Sequence, residues 1–176
     1  IQSRCVIFRF RPLSKKDLEK TVEKIAKAEH LNVTPEAIVA LEYVAEGDLR
    51  KAVNVLQAAS ALEKKVTEEV IYSVANRAKP KEVKEMILLA LEGKFLPARE
   101  KLDYLMLENG LSGEDVIKQI HREVIEWDEK EIDGKTKVRL VDRIGEYDFR
   151  LVEGANERIQ LEALLAQMAL VASEKK

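Results

Sequence analysis

Apolar residues recur along most of this chain at intervals of three and four positions, the spacing that places them on one face of a helix. Short segments rich in Ser, Thr, Asp, Gly or Pro separate these runs, and such residues begin and end helices. The pattern predicts an all-α chain, with one short strand at Cys5–Phe10. No second stretch is predicted to pair with that strand.

About four short helices are predicted in the first part of the chain, and they form a small bundle. Ser14, Thr34, Asp48 and Thr67 each precede an apolar run and are predicted to cap these helices. The polar segment Asn76–Pro80 then ends in proline and is predicted to link two domains. Five more helices are predicted beyond it, the last from about Asn156 to Ala172. The predicted division is 1–13, 14–77 and 78–176.

The last predicted helix is apolar in nearly every direction, since only Gln167 is polar between Ala163 and Ala172. Such a helix must be covered on all sides, and this one is too short to span a membrane. We therefore expect the second domain to self-associate through it, alongside the predicted helix Lys135–Val152. The expected interface residues are Ile159, Leu161, Leu164, Leu165, Met168 and Val171.

The composition of the chain argues against several classes of partner and location. The formal net charge is −2, so no overall basic field attracts nucleic acid. Cys5 is the only cysteine, which excludes an internal disulfide and suits a cytoplasmic, intracellular location. The longest apolar run, Met86–Leu91, is too short for a membrane span, so no membrane partner is expected. Because the chain begins at Ile1 without methionine, we expect a fragment of a longer protein.

Complete catalytic motifs are missing from the sequence. Gly134-Lys135-Thr136 matches only the end of the phosphate-binding pattern G-x-x-x-x-G-K-[ST], with Glu129 where the first glycine belongs. His30 and His121 have no nearby Cys or His, so no metal site is predicted. We expect this chain alone to catalyse nothing and to hold no cofactor.

The stretch Gly47–Gln57 carries the most distinctive pattern. Gly47 is predicted to end one helix in a left-handed conformation, and Asp48 to cap the next. Arg50 and Lys51 then lie in the first turn, where the helix dipole disfavours cations. A bound anion would compensate, because a helix N-terminus with an arginine suits phosphate. Spacing alone favours the alternative that both cations are solvated at small cost.

Three stretches together resemble the sliding-clamp loader subunits of the AAA+ ATPases. Ser3-Arg4-Cys5, followed by Val6–Leu13, is similar to their Ser-Arg-Cys segment, and Gly47–Gln57 resembles their sensor-2 helix. Asn156–Gln167 resembles the end of archaeal replication factor C small subunits. The resemblance covers essentially the whole chain in the same order.

The resemblance implies that 1–13 is a remnant of a core strand, 14–77 is the AAA+ lid and 78–176 is the collar that joins subunits. Arg4 would be an arginine finger acting in trans on a neighbour's ATP. Arg50 would be the sensor-2 arginine, contacting the γ-phosphate of its own subunit's ATP.

The same resemblance implies cofactors and partners for the intact parent protein. ATP and Mg would bind an upstream core, and the parent would be an ATPase. The implied partners are other loader subunits (copies of itself and a large subunit). The sliding clamp and primer–template DNA would be reached through the missing core.

Two alternatives stay open at this point. The first is the lid of another AAA+ ATPase, such as an initiator or remodeller, which should lack the second helical domain. The second is a helical adaptor that binds proteins and no nucleotide. A phosphate-binding loop encoded upstream would exclude the adaptor.

Overall fold

The computed structural model describes residues 11–128 and 131–173, and these are mostly helical. Contacts divide the chain into two units, the first ending at Ala75 and the second beginning at Asn76. Each unit buries its own cluster of apolar side chains. The predicted all-α class is confirmed. The predicted strand Cys5–Phe10 lies outside the described residues.

The first unit contains four helices among its described residues, and their starts follow the predicted caps. The Ser14 hydroxyl accepts a hydrogen bond from the Asp17 N–H at 3.2 Å, and the Thr34 hydroxyl accepts one from the Ala37 N–H at 3.2 Å. Thr67 precedes the fourth helix without a side-chain cap bond. The helices are α1 (Lys15–Ala28), α2 (Pro35–Ala45), α3 (Leu49–Leu62) and α4 (Glu68–Val74).

Two short strands in this unit were not predicted. β1 (Asn32–Val33) pairs in parallel with β2 (Lys65–Val66), and the Thr34 N–H donates to the Val66 carbonyl at 3.0 Å. Strands of two residues are too short to show alternation, which explains why the sequence pattern does not reveal them. The pair ties the residues before α2 to those before α4.

Five α-helices form the second unit in its described part. The apolar spacing over Phe95–Asn109 predicts a single helix, whereas the structure has α6 followed by a π-helical turn at Tyr104–Glu108. The wider turn still buries Leu105, so the apolar spacing that predicted one helix is nearly unchanged. The helices are α5 (Pro80–Leu91), α6 (Phe95–Asp103), α7 (Gly113–Glu126), α8 (Gly134–Val152) and α9 (Glu157–Ser173).

A buried amide fixes the first residues of the second unit. The Ala78 N–H donates to Gln119 Oε1 at 3.1 Å, and Gln119 Nε2 donates to the Ala78 carbonyl at 3.0 Å. Ala78 is 1% exposed and Gln119 is 2% exposed. Because buried backbone groups need partners, the Gln119 side chain replaces the hydrogen bonds that water would supply. It thereby holds the segment before α5 against α7.

Four charged side chains connect α6 with α9. Arg158 contacts Asp103 at 2.7 Å and Glu162 at 3.0 Å, and Arg99 contacts Glu162 at 2.8 Å. The hydrogen bond from Arg158, with that from Arg99, holds the pKa of Glu162 below its usual value, although partial burial opposes the shift. One carboxylate therefore joins cations from two helices.

We predict that Gln119→Leu destabilises the second unit by about 2–4 kcal/mol, because it leaves the buried Ala78 N–H and carbonyl unsatisfied. Urea unfolding followed by circular dichroism measures the loss. Gln57→Leu, at an exposed position of α3, is the matched control and should change stability by less than about 0.5 kcal/mol. Equal effects of the two changes would contradict the structural role of Gln119.

We predict that Glu162→Gln lowers the melting temperature by a few degrees at pH 7, and that the difference disappears in acid. The folded chain binds the Glu162 proton more weakly than the unfolded chain, because folding lowers this pKa. The stabilisation is therefore present above the unfolded pKa of about 4.3 and is lost as the pH falls through the lower folded value.

Thermal melts between pH 7 and pH 3 measure this difference. The control is Glu100→Gln, since Glu100 is exposed on α6 and makes no ion pair with a described residue. A Glu162→Gln difference that stays constant down to pH 3 would show that the charge of Glu162 is not what stabilises the fold.

Candidate functional site

The turn between α2 and α3 is shaped by a glycine in a crowded place. Gly47 has φ +83°, in the left-handed region that favours glycine. A Cβ at this position would lie 2.7 Å from the Pro12 Cβ and 3.2 Å from the Leu13 carbonyl oxygen. The Leu13 N–H also donates to the Gly47 carbonyl at 3.0 Å. The predicted left-handed glycine is confirmed, although Glu46 before it also has a positive φ, 54°.

Asp48 begins α3 as predicted. Its carboxylate accepts a hydrogen bond from the Lys51 N–H at 3.1 Å. Ala52, Leu56 and Ala59 are each 0–1% exposed and anchor the helix in the core of the first unit. The start of α3 is thus fixed by a cap and by buried side chains, so the residues of its first turn project from a rigid support.

Arg50 lies in that first turn. Its side chain is exposed and makes no ion pair or hydrogen bond with any described residue. The first N–H groups of a helix have no acceptor within the helix, and they carry the positive end of its dipole. An unpaired guanidinium beside them can bind a phosphate oxygen through two parallel donors. Chemically, this arrangement suits an anion supplied from outside the described residues.

Arg4, the second arginine with a predicted role, lies outside the described residues. Its role as an arginine finger stays a prediction.

Most of the predicted interface residues lie inside the second unit. Five of the six side chains are 0–7% exposed, and only Ile159 is exposed, at 62%. α9 packs against α5, α6, α7 and α8, so its own unit covers it on nearly every side. The prediction that these five form an exposed patch is therefore wrong, while self-association itself stays untested. The buried five are Leu161, Leu164, Leu165, Met168 and Val171.

The outer face of α8 carries exposed apolar side chains instead. Val138, Phe149 and Val152 are 70%, 64% and 67% exposed, and helical spacing places them with Gly145 on one stripe. We call these four residues the α8 stripe. This stripe could have been found from the sequence. Leu140, Ile144, Tyr147 and Leu151 already form the buried face of α8, so apolar residues on its other side are left exposed.

No metal centre is evident in the described part of the chain. His30 and His121 are both exposed, and residues 11–128 and 131–173 contain no cluster of three or more His, Cys, Asp or Glu placed to hold an ion. Within the same residues, no helix is long and apolar enough to cross a membrane.

Comparison with known proteins adds a family relationship. A family model described as the replication factor C C-terminal domain matches residues 78–167. The replication factor C small subunit of Pyrococcus horikoshii is 58% identical over 175 residues, which is 99% of this chain and 20% of that protein. That of Methanococcus vannielii is 56% identical over 171 residues, 97% of this chain and 53% of that protein. The chain therefore spans from a fifth to about half of these relatives.

Proposed function

This chain belongs to the replication factor C family, on the branch of the archaeal small subunits, and we propose that it forms the lid and collar of a clamp loader ATPase. The first unit would be the lid and the second unit the collar. Such a subunit assembles a loader ring and couples ATP binding and hydrolysis to placing a sliding clamp on primed DNA. The observation that carries the proposal is the exposed Arg50 on the fixed first turn of α3, which pairs with none of the residues that the structure describes.

In this proposal Arg50 contacts the γ-phosphate of ATP bound to its own subunit. Phosphoryl transfer spreads negative charge over the departing group, and a planar guanidinium stabilises that charge with two parallel donors. The buried face of α3 and the Asp48 cap hold the helix start in place. The lid would thereby respond to the presence of the γ-phosphate.

Arg4 would supply the second guanidinium, to the ATP of a neighbouring subunit. This assignment is supported by the Ser3-Arg4-Cys5 sequence. A finger supplied in trans makes hydrolysis depend on correct contact between subunits.

ATP itself would be held mainly by the part of the relatives that this chain does not span. Arg50 would contact only the γ-phosphate, and the described residues offer no cluster of carboxylates for Mg²⁺. Bound Mg²⁺ neutralises phosphate charge in ATPases. In the parent protein, the part that this chain does not span would hold Mg²⁺. The same part would make the contacts with the clamp and DNA.

Ring assembly is assigned to the collar. The α8 stripe supports this role, because its exposed apolar side chains lie along one face of a helix, and apolar surface left open to water marks protein interaction sites. Head-to-tail contacts between copies, or with a large subunit, would close a ring if the rotation allows it. The family relationship at 78–167 argues against the lid of an unrelated initiator or remodeller.

We predict that Arg50→Ala and Arg4→Ala in the full-length protein affect different sites. Arg50→Ala should slow turnover at its own site about 100-fold, since it removes the guanidinium that stabilises charge on the departing phosphoryl group. Arg4→Ala should leave its own site loaded and slow the adjacent site about 1,000-fold.

Mixed complexes with one mutant subunit type, followed by ATP turnover, separate the two effects. Lys64→Ala, at an exposed position of the first unit, is the control and should change neither site. A defect of Arg4→Ala confined to its own subunit would exclude the action in trans.

We also predict that the chain self-associates through the α8 stripe, and that Val138→Glu with Phe149→Glu shifts it to monomer. Light scattering over a broad concentration range measures the mass. Leu62→Glu, which alters a 70% exposed leucine of the first unit, should leave the oligomer intact. A monomer mass for the unaltered chain at every concentration would contradict assembly by the collar.

A further inference from the structure

The first unit contains an open groove between α1 and α2 that the proposed ATPase role does not use. It encloses about 770 Å³. Small-molecule pockets in proteins have volumes of about 300–1,000 Å³, so the groove has room for side chains of a ligand. All of its lining residues belong to the first unit and are described, so the groove is complete within one compact body.

The floor of the groove is apolar and preformed. Leu31, Val33 and Ile38 are half-buried and pack against the core of the first unit. The pairing of β1 with β2 fixes the backbone at Val33. Val39 adds a 64% exposed side chain at the edge. An apolar surface held in this way can receive a ligand side chain without reorganising.

The rim of the groove is acidic. Glu19 and Glu23 from α1 and Glu42 from α2 line it, and none of the three makes an ion pair with a described residue. Lys27 and His30 also line the groove, so a surplus of negative charge remains. The collar differs, since carboxylates such as Glu85, Glu146 and Glu162 pair with cations there.

We propose that this groove is a docking site for a basic amphipathic peptide segment of another protein. An apolar side chain of that segment occupies the floor formed by Leu31, Val33 and Ile38. Its lysines or arginines lie against Glu19, Glu23 and Glu42. Charge complementarity selects this occupant, because the same rim repels nucleic acid and acidic peptides. Arg50 does not line the groove, so the docking proposal can be tested separately from the ATPase role.

Fluorescence anisotropy with three labelled helical peptides tests the site on the full chain. The first peptide carries Leu and Phe on one face and Lys and Arg on the other. The second replaces the cations with Glu, and the third replaces the apolar residues with Ser. We expect the first peptide to bind about tenfold more tightly than either of the others, a difference of about 1.4 kcal/mol.

Groove variants locate the binding. Glu19→Gln, Glu23→Gln and Glu42→Gln combined should weaken binding of the first peptide about tenfold, and Val39→Ser should weaken it as well. Glu63→Gln and Leu62→Ser are the controls, because both residues are exposed in the first unit and lie outside the groove. Circular dichroism verifies that each variant is folded.

Three results would overturn the proposal. They are equal binding of the acidic peptide, no binding of the basic amphipathic peptide, and binding that the groove variants leave unchanged. Light scattering on Val39→Ser adds a fourth: a loss of self-association would mean that a second copy of the chain occupies the groove.

Discussion

The close approach of Gly47 to Pro12 and Leu13 is the constraint on which the first unit depends. No side chain fits at this position, so the chain can pass directly from α2 into α3 beside the segment that precedes α1. The Leu13 N–H bonds to the Gly47 carbonyl and closes the contact. Asp48 then caps α3 in the next position. The placement of Arg50 follows from these contacts, because it lies only three positions after the glycine.

The second unit depends on a different constraint, the burial of most of the apolar side chains of α9. A helix with apolar side chains all round is stable in water only when other helices surround it. Here α5, α6, α7 and α8 provide that cover, and the ion pairs among Arg99, Asp103, Arg158 and Glu162 add a link between α6 and α9. One face of α8 helps to cover α9. The α8 stripe lies on its opposite, exposed face.

Much of the fold is predictable because its helices have clear caps and periodic apolar faces. Ser14, Thr34 and Asp48 cap as their sequence context indicates, and Pro80 begins α5. The missed features are those without a period, namely the two-residue strands and the π-helical turn after Asp103. Their existence depends on tertiary contacts that a local pattern does not contain.

The candidate sites, too, were predictable from the sequence only in part. Arg50 can be singled out from the sequence, because a cation in the first turn of a helix is disfavoured by the helix dipole. Five of the six predicted interface residues of α9 are covered by their own unit, because an apolar helix indicates burial without saying which chain covers it. Their part in self-association stays a prediction. The acidic groove could not be predicted at all, since its walls come from two helices and a short strand that meet only in the fold.

The central claim is that α3 presents Arg50 to the γ-phosphate of ATP in the same subunit. A structure of the intact parent complex with a non-hydrolysable ATP analogue tests it most directly. The account predicts guanidinium nitrogens of Arg50 about 2.7–2.9 Å from γ-phosphate oxygens of its own subunit's nucleotide. An Arg50 side chain in solvent, or one in contact with a neighbour's nucleotide, would contradict it.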